Sequence, residues 1–133
     1  MSNPEWEKKS TDEPIWEGPR DVDFEAMGIS DRETQIKIQT ILGAMDWPQL
    51  LCFHYGDSDR VVAPFVVGVS FEGNPLLRGY QLEGVSRSGK GAGWRMFQVR
   101  KMERLENYQE FFNADDFDFD EYYPWIYRVF KML

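Results

Sequence analysis

The spacing of apolar residues changes along the chain from a helical period to a strand period. One set recurs at the i, i+3, i+4, i+7 spacing of a single helix face: Ile38, Ile41, Leu42 and Met45. Ser30 and Glu33 precede this set with the spacing of a capping box, in which the serine hydroxyl caps the helix. Pro48 follows it, and the residue before a proline is disfavoured in the helical region. The pattern therefore predicts one capped α-helix over residues 31–45.

After Pro48, short runs of β-branched and aromatic residues alternate with turn residues such as Gly, Asp, Ser and Asn. Pro64 lies inside the second run and predicts an edge or bulge position, because proline cannot donate to a strand ladder. The runs predict a mainly β, α+β fold with a small antiparallel barrel or strongly curved sheet over residues 49–112. The predicted strands cover residues 50–55, 60–71, 76–82, 94–102 and 104–112.

The two ends of the chain differ from this central region. Residues 1–29 mix proline, glycine and acids without a helical or strand period, which predicts an irregular acidic arm. Phe24 and Met27 suggest that the arm docks on the rest of the protein. Residues 113–133 form an acidic and aromatic segment whose aromatic side chains are expected to anchor it. With 133 residues in total, we expect a single domain over residues 30–133.

Charge is distributed unevenly around a net of −8. Residues 1–34, 35–77 and 105–133 carry −6, −2 and −5, whereas residues 78–104 carry +5. The total argues against wholesale binding to a nucleic-acid backbone, which needs many clustered Lys and Arg residues. The basic segment leaves two interpretations open. Its cations pair with the chain's own acidic tail, or they form a positive patch for an anionic ligand.

The loop beginning at Gly84 reads GVSRSGKG, close to the phosphate-binding pattern G-x-x-x-x-G-K-[ST]. Gly91 stands where that pattern needs Ser or Thr, and a strand rather than a helix is predicted to follow. A phosphate loop needs a helix N-terminus at that point. We therefore interpret the stretch as a hairpin connection that can still touch a phosphate through Arg87 and through three side chains assigned to the ligand site: Ser86, Ser88 and Lys90.

Composition gives little support for catalysis or for a membrane. His54 is the only histidine and Cys52 the only cysteine, and no His/Cys group has the spacing of metal ligands. We expect no enzyme activity, metal or cofactor. A single cysteine excludes an intrachain disulfide, and no apolar run approaches the ~20 residues of a membrane span. These features predict a soluble, cytoplasmic protein that does not enter a membrane.

The central region resembles the WYL-domain family, in particular its short stand-alone members. The resemblance rests on RVVAP at residues 60–64, LRGYQ at residues 77–81 and GWRMFQV at residues 93–99, and it covers residues 49–112. It implies an Sm-like or SH3-like barrel acting as a ligand-binding regulatory module that senses nucleotides or nucleic acid. The chain departs from the family in lacking the Trp-Tyr-Leu triplet and in having Arg100-Lys101 where an acid-Arg pair is usual.

Four residues of the basic segment make up the predicted ligand site. Side chains alternate along a strand, which places Arg78 and Tyr80 on one face of the third predicted strand. Arg95 lies on the neighbouring, fourth strand, and Lys101 continues the face of Arg95. Guanidinium and phenol groups on neighbouring strands suit a planar anion, such as a nucleotide or a single-stranded nucleic acid.

Two alternatives stay open. In the first, Tyr80 belongs to the core and the arginines pair with the acidic tail. In the second, the chain is a protein-interaction or inhibitory factor that uses its acidic surface, such as a nucleic-acid mimic in a phage or bacterial defence context.

Overall fold

The computed structural model describes residues 22–84, 91–119 and 121–133. Within these ranges the chain forms one α-helix and one open sheet of six antiparallel strands, so the predicted mainly β fold is confirmed. The elements are α1 Arg32–Asp46, β1 Gln49–Tyr55, β2 Ser58–Val69, β3 Pro75–Glu83, β4 Gly93–Gln98, β5 Glu103–Phe111 and β6 Arg128–Met132.

Helix α1 begins one residue later than the capping box indicated. The cap is Asp31, whose backbone is extended and whose carboxylate accepts a hydrogen bond from the Thr34 N–H at 3.1 Å. The prediction of Ser30 as the cap was therefore wrong. Both residues are good caps, and a carboxylate at the positive end of the helix has the additional advantage of charge.

Strand β2 organises the sheet, whose order is β4-β3-β2-β1-β5. The register of β2 against β3 shifts between Pro64 and Val66, which confirms the bulge expected at this proline. Before the bulge β2 pairs with β1, as Leu51 does with Val62, and after it β2 pairs with β6. The C-terminal strand β6 was not anticipated from the sequence.

Strand β4 ends at Gln98, where the sequence predicted a strand continuing to residue 102. A 3-10 turn over Val99–Lys101 redirects the chain, and β5 then pairs with β1 on the other side of the sheet. At the turn, the Gln98 N–H donates to the Tyr55 hydroxyl at 3.0 Å. Strands β4 and β5 are thus the two ends of the strand order, and among the described residues they do not pair with each other to close a barrel.

Both faces of the sheet are covered. Helix α1 packs on one face, over a core that includes Leu51, Val62, Leu77 and Phe97. Phe24 and Met27 pack against this core, as expected of the end of the N-terminal arm; residues 1–21 lie outside the described ranges. None of the helices in the described ranges is long and apolar enough to cross a bilayer.

Candidate anion-binding site

The register between β3 and β4 separates the residues that the sequence placed in one hollow. Arg78 is opposite Met96, and Gly79 is opposite Arg95. Residues that pair across antiparallel strands share a face, and neighbours along a strand alternate. Arg78 and Tyr80 therefore face one side of the sheet and Arg95 faces the other. The predicted ligand site therefore does not form as one site, because Arg78 and Tyr80 are separated from Arg95 by the sheet.

The face that carries Arg78 and Tyr80 is covered by the C-terminal segment. The Tyr80 ring lies 5.2 Å from the ring of Phe117, and the indole N–H of Trp94 donates to the Asp118 carbonyl at 3.0 Å. The Arg78 guanidinium lies over the Trp94 ring at 5.6 Å. Aromatic side chains do anchor this segment, as the sequence predicted. Tyr80 and Trp94 thus serve as the surface on which the segment packs.

The opposite, helix-side face brings Arg95 and Lys101 together in a pocket of about 470 Å³. Arg60 and Tyr55, which the sequence analysis did not assign to the site, line the same pocket. Three cations and two aromatic residues, Tyr55 and Phe97, thus line the pocket, and Asp57 is the one acid in this lining. We call this pocket the cationic pocket.

Arg60 is fixed in the pocket wall by the turn between β1 and β2. Its side chain is buried, and its guanidinium donates to the Ser58 hydroxyl at 2.7 Å and to the Tyr55 carbonyl at 3.0 Å. The guanidinium also lies 5.5 Å from the centre of the Tyr55 ring. The turn depends on Gly56, whose φ of +66° is unfavourable for other residues.

A buried amide connects the two arginines. Gln81 is fully buried; its side-chain oxygen accepts from Arg60 at 3.0 Å, and its side-chain nitrogen donates to the Gly91 carbonyl at 3.0 Å. The same carbonyl accepts from Arg95 Nη2 at 2.7 Å. Arg95 reaches it by folding back over Gly93, where any Cβ would lie 2.9 Å from Arg95 Nη1. The guanidinium positions are therefore set by the fold.

The pocket concentrates positive charge in a partly desolvated place. Burial lowers the pKa of the Arg60 guanidinium, and the nearby charge of Arg95 lowers it further, while Asp57 acts in the opposite direction. Arg95 Nε is buried and has no hydrogen-bond partner within the described part of the chain. An anion in the pocket would offset the repulsion between the cations and supply an acceptor to that N–H.

Sequence reasoning assigned Arg95 and Lys101 to a ligand site but missed Arg60, Tyr55 and Gln81, although one signal was present. Gln81 belongs to the LRGYQ run of the WYL resemblance and alternates away from Tyr80, toward the face of Arg95. Arg60 is linked to Arg95 through the Gln81 side chain and the Gly91 carbonyl, and no local pattern shows this link. Three loop residues that the sequence also proposed lie outside the described residues: Ser86, Ser88 and Lys90.

The His54 region gives no support for covalent catalysis. His54 Nδ1 donates to Asp59 Oδ1 at 2.8 Å, and Cys52 lies on the same face of β1. Burial and the negative charges of Glu106 and Asp59 raise the pKa of the Cys52 thiol, which opposes the thiolate that a nucleophile needs. The described residues contain no group of three side chains arranged to hold a metal ion.

Comparisons of this chain with protein-family models, with curated proteins and with solved structures find no match.

Proposed function

We propose that this protein is a non-enzymatic binding module, similar to WYL domains, that takes up a small anionic ligand of the nucleotide or single-stranded nucleic-acid class. The observation that carries the proposal is the cationic pocket, where Arg60, Arg95 and Lys101 surround Tyr55. Its volume of about 470 Å³ lies within the range of ligand sites, roughly 300–1,000 Å³. The strand order and the 3-10 turn between β4 and β5 support an SH3-like relationship, although the sheet is open.

Each wall of the pocket has a distinct role in this proposal. Arg95 and Lys101 bind the phosphate group, because Arg95 keeps a buried N–H without an acceptor among the described residues and Lys101 is exposed at the rim. Arg60 already makes three hydrogen bonds to the protein and supplies mainly charge. Tyr55, half-buried, offers an aromatic edge to a base.

Calorimetric titration with inorganic phosphate, adenosine monophosphate and hexathymidylate tests the proposal. We expect Arg95→Gln and Lys101→Gln each to weaken binding by about 10- to 100-fold, the effect of one hydrogen bond between charged groups. Arg104→Gln is the matched control, since Arg104 is an exposed arginine that does not line the pocket. Failure of all three ligands to bind the wild type at millimolar concentration would contradict the proposal.

The same titration distinguishes binding in the cationic pocket from binding on the face of the sheet that carries Arg78 and Tyr80. Arg78→Gln changes the charge by the same amount on the opposite face of the sheet. We expect it to leave the affinity within about twofold of the Arg104→Gln control, because Arg78 does not line the cationic pocket. A loss for Arg78→Gln as large as that for Arg95→Gln would place the ligand elsewhere.

A further inference from the structure

A second groove lies on the other side of β4 from the cationic pocket and has the opposite electrostatic character. It has a volume of about 520 Å³, and Tyr55 and Met96 line both cavities. Glu72 is the one charged residue in its lining, and Trp125 forms one wall. We call it the Trp125 groove.

The aromatic side chains around this groove are exposed to an unusual extent. Trp125 keeps 65% of its surface accessible, and Phe71 and Tyr127 keep 76% and 65%. Phe71 lies between two lining residues in the sequence and packs edge-on against Tyr127 at 5.1 Å. Soluble proteins bury most large aromatic surface, so an exposed aromatic cluster beside a groove is characteristic of an interaction site.

The negative charge of the groove and of the segment that precedes Trp125 indicates a positively charged partner. The segment that leads to Trp125 exposes several acids that have no ion-pair partner among the described residues: Asp115, Asp116, Asp118 and Glu121. With Glu72 in the groove itself, the surface is complementary to a positively charged partner. An indole beside a carboxylate is a favourable environment for a cation.

We infer that the Trp125 groove binds a Lys- or Arg-containing segment of a partner polypeptide, with one basic side chain inserted in the groove. Its charged end lies against Trp125 and Glu72. Its aliphatic stem lies along Leu76 and Met96, which are apolar. The unpaired acids of the C-terminal segment attract further basic residues of the same partner, which favours a peptide over a small cation.

Hexaarginine and hexaglutamate are suitable probes, and the indole N–H signal of Trp125 in a two-dimensional NMR spectrum is a direct readout. We expect hexaarginine to shift this signal and hexaglutamate to leave it unchanged. For the variants, the affinity is measured by calorimetric titration, because replacing Trp125 removes its signal. Trp125→Ala should weaken hexaarginine binding by about 3- to 30-fold, the range of a cation–π contact. Glu72→Gln should weaken it by about two- to fivefold, as for an exposed ion pair.

Two matched controls distinguish the groove from general attraction to a chain of net charge −8. Trp47→Ala removes a tryptophan that is 75% exposed and lies outside the groove, and Glu110→Gln removes an exposed acid on β5. Trp125→Phe keeps an aromatic ring and should retain most of the affinity, which guards against loss of the fold as the explanation.

Three results would overturn the inference. Hexaarginine could fail to bind, or the groove variants could bind it as their controls do. A shift of the Trp125 signal that depends on protein concentration without peptide would instead assign the groove to a second copy of the chain.

Discussion

Replacing Gln81 by Met removes the amide that connects Arg60 with the Gly91 carbonyl and keeps the side-chain volume nearly constant. The Gly91 carbonyl still accepts from Arg95, so its loss is small. Arg60 Nη1, buried and 3.0 Å from Gln81 in the wild type, loses its acceptor. A buried charged donor without a partner costs roughly 1–3 kcal/mol or more. We therefore expect the free energy of unfolding to fall by about 2–3 kcal/mol.

Urea unfolding followed by circular dichroism measures this change. With a slope of about 2 kcal/mol per molar urea for a chain of this size, the midpoint should fall by about 1–1.5 M at unchanged slope. The control is Gln98→Met, the same replacement on the neighbouring strand. Gln98 is half-buried and makes one side-chain bond of 3.3 Å, to Asn74, so its loss should cost less than about 1 kcal/mol. Equal midpoints for the two variants would refute the idea that Gln81 holds the cationic pocket together.

Two further predictions concern other parts of the chain. Gly68→Ala should destabilise the protein by about 1–3 kcal/mol and speed amide hydrogen exchange in β6, because the new Cβ overlaps the Arg128 carbonyl. The control is Gly43→Ala in α1, which has open space around it and should leave exchange in β6 unchanged. Equal exchange rates in the two variants would contradict the close packing of β6 on Gly68. The hydrogen bond from His54 lowers the pKa of Asp59 most. The stabilisation from Asp59 is therefore present above the ordinary carboxyl pKa of about 3.9 and is lost as the pH falls through the lowered pKa. The urea midpoints of the wild type and of Asp59→Asn should converge over this fall in pH. A difference between the two midpoints that widens on acidification would contradict a lowered pKa.

Local patterns predicted the elements that local physics determines. The stripe of Ile38, Ile41 and Met45 gave α1 to within one residue at each end, and Pro64 gave the bulge in β2. Two overlapping cap signals, at Ser30 and Asp31, differ by one position; the capping-box spacing favoured Ser30, whereas the charge of the carboxylate favours Asp31, which is the cap.

The candidate site was harder to predict because it depends on how strands align. Alternation gave the correct face within each strand, for Arg78 with Tyr80 and separately for Arg95 with Phe97. Which of these faces coincide depends on register, and a shift of one residue exchanges the two faces of a strand. The 3-10 turn then removed Lys101 from β4 but left it in the same pocket as Arg95. Arg60 entered through a contact across the sheet that no short pattern encodes.

Strand β4 separates the cationic pocket from the Trp125 groove, two cavities whose linings carry opposite charge. Because Tyr55 and Met96 line both cavities, and the Tyr55 hydroxyl holds the Gln98 amide at the strand end, an occupant that moves this tyrosine changes the shape of both. Thermodynamic linkage makes such an influence reciprocal: the factor by which one ligand changes the affinity for the second equals the factor by which the second changes the affinity for the first. The two proposed ligands, an anion and a basic segment, would then influence each other through Tyr55.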